Sequence, residues 1–333
     1  MENKKSENNQ LNSLTNNIEK NRALMMLRSA LGEILSYFDN PDVVEIYVNS
    51  DQYLWVELQG KGRMQTTLKV SEESVRKIIE MVATISNTIA NADKPLISAE
   101  LPFYLYRFEG SLPPVTMKPS FNIRKPAMKI FTLDDYVNDG IITNRQKEII
   151  IEAVRAKKNI LIVGGTGSGK TTLTNAILDE ISNTGDRIII LEDTRELVCS
   201  AKDYEAFRTQ DNVSMNDLLK TTMRRRPDRI VVGEVRDKAA LDLLKAWNTG
   251  HPGGVCTVHA NSASGGLLRL EQLIQEAIPN PQQILIGEAV SLIIYISRTA
   301  VEVDGKVVAG RKVQEICRCE GYKHDEYVLE YIE

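Results

Sequence analysis

The sequence predicts an α/β chain in two parts, a smaller α+β unit followed by a larger unit built on a parallel sheet. Three observations carry this reading. Apolar and polar residues alternate between Val43 and Val70, ahead of one long amphipathic helix. From Asn159 onward short apolar runs alternate with helical segments, the pattern of a parallel sheet covered on both faces. Between the first such run and the first such helix stands a glycine-rich segment, Gly164–Thr171.

In order along the chain, residues Met1 to Arg22 are polar and poor in aromatics, which predicts a mobile arm or a weak leading helix. A first domain is expected over 23–126. Leu24, Leu27, Leu31 and Leu35 have helical spacing and place a helix at Ala23–Phe38. Val44, Ile46 and Val48, then Leu54, Val56 and Leu58, alternate as strands do, and Gly60-Lys61-Gly62 supplies a turn before another short strand. Ser71 followed by Glu72 and Glu73 is an N-cap with acids in the first turn, so a helix should run to about Ile89 with Val75, Ile78, Ile79, Val82 and Ile85 on one face. Strands at Leu101–Phe108 and Ser120–Arg124 close this unit, and Pro113-Pro114, Pro119 and Pro126 read as its exit.

The second domain, 127–333, opens with helices at Leu133–Val137 and Gln146–Ala156. Strands at Asn159–Val163, Arg187–Leu191, Arg229–Val232 and Gly254–Val258 then alternate with helices at Lys170–Asn183, Met215–Arg225 and Lys238–Trp247. Val290–Ile296, Lys312–Cys317 and Tyr327–Ile332 add further strands. Trp247 and Tyr104 read as core aromatics.

Composition bounds the function. A chain of 333 residues can bury two cores, and a net charge of −4 with 26% charged residues is the profile of a soluble globular protein. That balance argues against wrapping nucleic acid over a whole face; the Arg224–Arg226 cluster with Arg229 reads first as a solvated helix end. No apolar run reaches the ~20 residues of a spanning helix, and the Asn-, Lys- and Glu-rich start lacks a secretory signal, so a cytoplasmic protein is expected. The four cysteines fit that compartment. Cys317 and Cys319 with nearby His324 fall one ligand short of a zinc site and read as two thiols on one strand face.

Gly164-Gly165-Thr166-Gly167-Ser168-Gly169-Lys170-Thr171 has the spacing G-x-x-x-x-G-K-[ST] of a phosphate-binding loop, and it sits between strand and helix as that motif requires. Glycines let the backbone curl so that N–H groups converge on phosphate oxygens, and the helix N-terminus adds favourable potential. Lys170 is placed to reach the β- and γ-phosphates, and the Thr171 hydroxyl to ligate Mg²⁺. The expected nucleotide contacts are Gly164, Gly165, Thr166, Gly167, Ser168, Gly169, Lys170, Thr171 and Thr172.

Two later strands run into acids, Glu192-Asp193 and Glu234, at the sheet edge where parallel strands deliver ligands. Carboxylates there can hold Mg²⁺ through water or orient an attacking water. The phosphate loop, Glu192-Asp193-Thr194, the run Arg225–Arg236 and the run Thr249–Asn261 stand in the order of the Walker A, aspartate, Walker B and histidine boxes of type II/IV secretion traffic ATPases. The chain resembles that family, and its conjugal-transfer TrbB-type branch most, over about Leu101 to Tyr322; Arg107-Phe108-Glu109-Gly110 and Ile123-Arg124-Lys125 add to the likeness.

The resemblance implies a RecA-like ATPase domain behind a smaller N-terminal domain, ATP with Mg²⁺, a homo-hexameric ring, and a seat among secretion or conjugation components at the cytoplasmic side of the inner membrane. It implies Glu234 as the acid that positions water, Glu192 as a second acid near the metal, His259 beside the γ-phosphate, and Arg107 and Arg124 on the phosphates. Gly233 stands where a generic Walker B strand carries Asp, which the family shares. Three functions remain open at this point: a hydrolysing motor, a nucleotide-gated scaffold with little hydrolysis, and a DNA translocase. Glu192, Glu234 and His259 favour the motor.

Overall fold

The structure, a computed structural model, describes residues 21–58, 62–104, 106–126, 131–210, 212–303 and 306–332, with the side chains at 301–309 outside the description. Most of the expected polar arm and most of the Gly60-Lys61-Gly62 turn lie outside the described residues. The chain divides into two compact units, Met1–Met128 and Lys129–Glu333.

The first unit holds a six-stranded sheet of order β3-β2-β1-β6-β5-β4 with every neighbour antiparallel. Its strands are β1 (Val43–Val48), β2 (Tyr53–Leu58), β3 (Gly62–Lys69), β4 (Leu96–Leu101), β5 (Tyr106–Ser111) and β6 (Ser120–Arg124). Helix α1 covers 21–31, and the expected continuation to Phe38 is instead a 3-10 segment, Gly32–Tyr37. Gly32 takes φ +52, a conformation that interrupts α-helical hydrogen bonding. A register shift between Val43 and Glu45 buries Val43 in place of the expected Val44.

Helix α2 (Glu72–Ile85) starts as the sequence implies: the Ser71 hydroxyl accepts the Ser74 N–H at 3.2 Å. Its stripe Val75, Ile78, Ile79 and Val82 is buried against the sheet with Ile46, Phe108 and Ile123. It ends four residues before Ile89 because Asn87 turns to φ +57. The single strand expected at Leu101–Phe108 is a hairpin, β4 turning into β5 near Phe103 at φ +71. Pro113, Pro114 and Pro119 belong to the β5–β6 connection rather than to the unit's exit; only Pro126 follows the last strand.

The second unit is an eight-stranded mixed sheet of order β14-β13-β12-β7-β11-β10-β8-β9. Strands β7 (Ile160–Val163), β8 (Ile188–Glu192), β9 (Tyr204–Arg208), β10 (Arg229–Val232), β11 (Val255–Val258) and β12 (Leu292–Val303) run parallel. β13 (Lys306–Lys323) and β14 (Glu326–Tyr331) extend the sheet antiparallel as a long hairpin arm. The alternating strands are parallel as expected, and the further C-terminal strands continue the sheet parallel at β12 and antiparallel beyond it.

Successive residues of the central strands feed opposite cores, as a two-residue period demands. Ile160, Ile162, Ile188, Ile190, Val231 and Val255 pack with α3 (Leu133–Asn138), α4 (Asn144–Arg155) and α5 (Lys170–Ser182). Leu161, Val163, Ile189, Leu191, Val232 and Cys256 pack with α6 (Met215–Thr222), α7 (Ala239–Asn248), α8 (Ala263–Gln275) and α9 (Gln283–Ala289). Trp247 is core, as expected, and its Nε1–H donates to the Ile230 carbonyl at 3.2 Å. Capping boxes at Thr132, Thr143 and Ser214 start α3, α4 and α6.

Candidate nucleotide site

Strands β7, β8, β10 and β11 deliver their C-terminal ends to one edge of the second sheet, and every box of the sequence motif set lies there. The phosphate loop leaves β7 and enters α5 through Gly169 at φ +101, with Gly167 at φ +67. Side chains at either would be strained. A Cβ on Gly164 would lie 2.3 Å from the Ile296 carbonyl and 2.5 Å from Ser168 Oγ, so only glycine lets the loop curl this tightly. Thr171 and Thr172 are half-buried in the first turn of α5.

Lys170 is nearly buried, and its ammonium donates to the Gly164 and Gly165 carbonyls at 2.9 and 3.1 Å. The buried Ser168 hydroxyl has no hydrogen-bond partner among the described residues. A tightly curled glycine loop at a helix N-terminus, a desolvated ammonium and an unsatisfied hydroxyl together fit a phosphate chain. Among the described residues no group of three or more His, Cys, Asp or Glu could hold a metal ion. A magnesium site built on Thr171 would therefore draw most of its ligands from phosphate and water, the usual habit of that ion.

Opposite the loop stands a polar chain that sequence boxes alone do not reveal. Lys170 Nζ lies 3.4 Å from His259 Nδ1 and 3.3 Å from its Nε2. His259 Nε2 lies 2.9 Å from Glu234 Oε1, and Glu234 Oε2 accepts from Arg236 Nη2 at 2.7 Å. Arg236 reaches Asp193 at 3.7 Å, and Asp193 accepts the Thr209 hydroxyl at 3.0 Å. An ionised carboxylate can only accept, so Nε2 carries the proton that faces Glu234, and the neutral ring leaves Nδ1 to accept from the ammonium. Burial first, then the Lys170 charge, lowers the His259 pKa, in keeping with a neutral ring. Burial alone would raise the Glu234 pKa, but the Arg236 hydrogen bond and charge, with His259 and Lys170, carry it below the ordinary carboxylate range.

Glu192 behaves differently. It is 3% exposed, and one carboxyl oxygen accepts the Glu196 and Leu197 N–H groups at 2.9 and 2.8 Å. Burial nonetheless pushes its pKa up to about 7. A Cβ on Gly233 would meet Glu192 Cγ at 3.2 Å, which gives the missing Walker B aspartate a steric reason: the Glu192 side chain fills that space. Asn175 of α5 fixes the same loop, donating to the Glu196 carbonyl at 3.1 Å and accepting from the Val198 N–H at 2.9 Å.

This makes a linkage prediction. A carboxyl whose folded pKa is raised stabilises the fold relative to its ionised form at low pH, and that contribution is lost as pH rises from about 4.5 through about 7. Gln keeps the oxygen that accepts both N–H groups and cannot ionise. Glu192→Gln should match the parent in thermal unfolding at about pH 4 and exceed it at about pH 8, by at most roughly 3 kcal/mol. Parallel melting curves for the two proteins at every pH would refute the assignment.

In the first unit, Arg107 and Arg124 are directly paired across β5 and β6. Arg107 leans on Glu109, with Nε and Nη2 each 3.2 Å from Oε1. The structure thus sets these two side by side, and it groups Lys170, His259 and Glu234 in the second unit. The Arg224–Arg226 cluster is a helix end whose Arg225 is occupied by Glu205 at 2.8 Å and by the Phe207 ring. Two arginines that sequence reasoning missed lie against the phosphate loop. Arg298 Nε donates to the Gly167 carbonyl at 3.0 Å, and the Arg311 side chain covers Gly169. Arg236 was legible, two residues after Glu234 in a box already recognised; Arg298 and Arg311 sit in no motif.

Known proteins resemble the chain over most of its length. A family model described as type II/IV secretion system protein matches residues 26–330. A Sinorhizobium fredii protein named "Probable conjugal transfer protein TrbB" is 47% identical over 312 residues, covering 93% of each chain. The type IV secretion system protein VirB11 of Bartonella henselae is 30% identical, over 74% of this chain and 80% of that one. Among solved structures, the pilus retraction motor PilT with bound ADP superposes with a TM-score of 0.62 at 19% identity, over 84% of this chain and 81% of that one, a likeness of fold alone. Among the described residues no helix is long and apolar enough to cross a membrane.

Proposed function

The chain belongs to the type II/IV secretion system protein family, and on that premise we propose that it is an ATP-hydrolysing motor of a conjugation or type IV secretion apparatus. The working form in this reading is a homo-hexamer at the cytoplasmic face of the inner membrane. The observation that carries the proposal is the chain Lys170–His259–Glu234–Arg236 facing the phosphate loop. It offers what hydrolysis of a phosphoanhydride needs: a cation for the phosphates, a carboxylate kept ionised to orient water, and a neutral imidazole that reports on both.

In this mechanism the loop N–H groups and Lys170 bind the phosphates, and Lys170 exchanges the Gly164 and Gly165 carbonyls for phosphate oxygens. Glu234 orients the attacking water. Magnesium, held by the Thr171 hydroxyl with phosphate and water, would neutralise charge on the β- and γ-phosphates. Glu192 lies beside Gly233 and would steady that hydration shell through its upward-shifted carboxyl. The Arg107–Arg124 pair is assigned to the phosphates because planar guanidinium forks suit that chemistry and stay charged at any working pH.

Steady-state phosphate release with light scattering tests the whole reading. Turnover by a hexamer is the expected result, and Arg107→Ala or Arg124→Ala should cut turnover by roughly 10³-fold while sparing ADP affinity. Nucleotide binding without turnover would favour a gated scaffold. Turnover that requires DNA and falls steeply with salt would favour a translocase.

A further inference from the structure

We propose that Arg298 and Arg311 form a paired-guanidinium wall that binds the nucleotide's phosphate chain from the hairpin arm; this rests on the nucleotide-binding reading above. The two residues are direct cross-strand partners on β12 and β13. Like charges placed directly opposite in an antiparallel pair repel, so this juxtaposition is unfavourable unless an anion offsets it. No ion pair joins either to a carboxylate among the described residues. Glu315, an acid further along the same strand, accepts the Ala263 N–H at 2.8 Å instead.

Both arginines are exposed, and both reach the one segment of the chain built for a polyphosphate. Arg298 uses Nε on the Gly167 carbonyl, and a Cβ on Gly167 would lie 2.2 Å from its Nη2. A Cβ on Gly169 would lie 2.8 Å from Arg311 Cδ. The two positive-φ glycines therefore serve twice: they shape the loop, and they leave room for the arm's side chains against it. The hairpin register brings the pair together, since β12 is bonded to β7, the strand that feeds the loop. A nucleoside di- or triphosphate supplies the missing negative charge; a nucleoside monophosphate supplies little of it.

Affinities of the full-length protein for fluorescent ATP, ADP and AMP test this. Arg298→Ala and Arg311→Ala should each weaken ATP and ADP by roughly tenfold, as loss of a charge-assisted hydrogen bond does, and barely change AMP. Arg298→Lys and Arg311→Lys should recover part of the loss, and the deficit should shrink as salt rises. Equal losses for ATP, ADP and AMP would overturn the proposal, because they mark a role in the base, the ribose or the loop shape. Unchanged affinities would overturn it too. If the parent binds ATP without hydrolysing it, the motor reading falls while the arginine effect is still measured. If the parent hydrolyses ATP and the variants bind normally, the arginine wall alone falls.

Discussion

Lys170→Ala should lower ATP affinity by roughly 100-fold or more and reduce phosphate release to background. Lys170 is 7% exposed, and its ammonium is held by two loop carbonyls and the His259 ring. A cation kept this dry is costly to maintain unless it serves a ligand that returns more than water would. With phosphate present it neutralises charge at short range inside a cleft of reduced dielectric, where one charge-assisted contact contributes about 1.5–3 kcal/mol. Alanine removes that contact and also leaves the Gly164 carbonyl, buried beneath the loop, without its donor. Loss of affinity could then reflect a collapsed loop, so melting temperature should be followed beside it. Lys170→Arg, which keeps the charge, should retain more binding than alanine. ATP affinity within a few-fold of the parent in Lys170→Ala would remove this residue from the phosphate site.

The phosphate loop was legible before any coordinates because its chemistry is local. Glycines, a lysine and a threonine must follow each other at fixed spacing for N–H groups to converge on one anion. The central strands were legible for a similar reason: strands buried on both faces read as unbroken apolar runs, and Ile160–Val163, Ile188–Leu191 and Ile230–Val232 all do. Ser71 announced α2 through a cap that needs only three residues.

What was missed depends on distant parts of the chain. β9 (Tyr204–Arg208) is an edge strand of mixed polarity whose pairing with β8 decides its state. α8 begins Ala-Ser-Gly-Gly, and its two glycines weaken the first turn as a helix signal; Ser262 caps it and burial of Leu267, Leu270 and Leu273 holds it. The β4–β5 hairpin hid because Leu101 and Tyr106 look strand-like on either side of a turn that Phe103 makes at positive φ. Arg298 and Arg311 are brought together by hairpin register alone. Of the site, the boxes named Lys170, Glu234 and His259, but their joining into one polar chain is a tertiary fact.

Glu234→Gln should drop turnover by roughly 10²- to 10³-fold while ATP still binds and persists. The carboxylate touches His259 Nε2 at 2.9 Å through one oxygen and Arg236 at 2.7 Å through the other. Arg236 and its neighbours keep it ionised, because its pKa is depressed. The charged form is therefore present across the neutral range and is lost only as pH falls below the ordinary carboxylate range. Glutamine fits the volume but cannot satisfy both neighbours. With its oxygen toward Arg236, the amide NH₂ faces the His259 N–H; with its oxygen toward His259, the NH₂ faces the guanidinium. Either arrangement sets donor against donor. A tautomer flip at His259 relieves the first, but it puts the proton on Nδ1 beside the Lys170 ammonium and leaves the single Nε2 lone pair facing both the amide and that ammonium. The substitution thus removes the charge that orients water and breaks the polarity of the relay, while the loop and Lys170 still hold phosphate. His259→Ala should cost turnover less, roughly tenfold, and leave melting temperature nearly unchanged because the ring is 40% exposed. Single-turnover ATP cleavage and nucleotide affinity, measured on both variants, separate the roles. Near-parental cleavage in Glu234→Gln would take that carboxylate out of the mechanism, and a large loss of stability in His259→Ala would return the histidine to the scaffold.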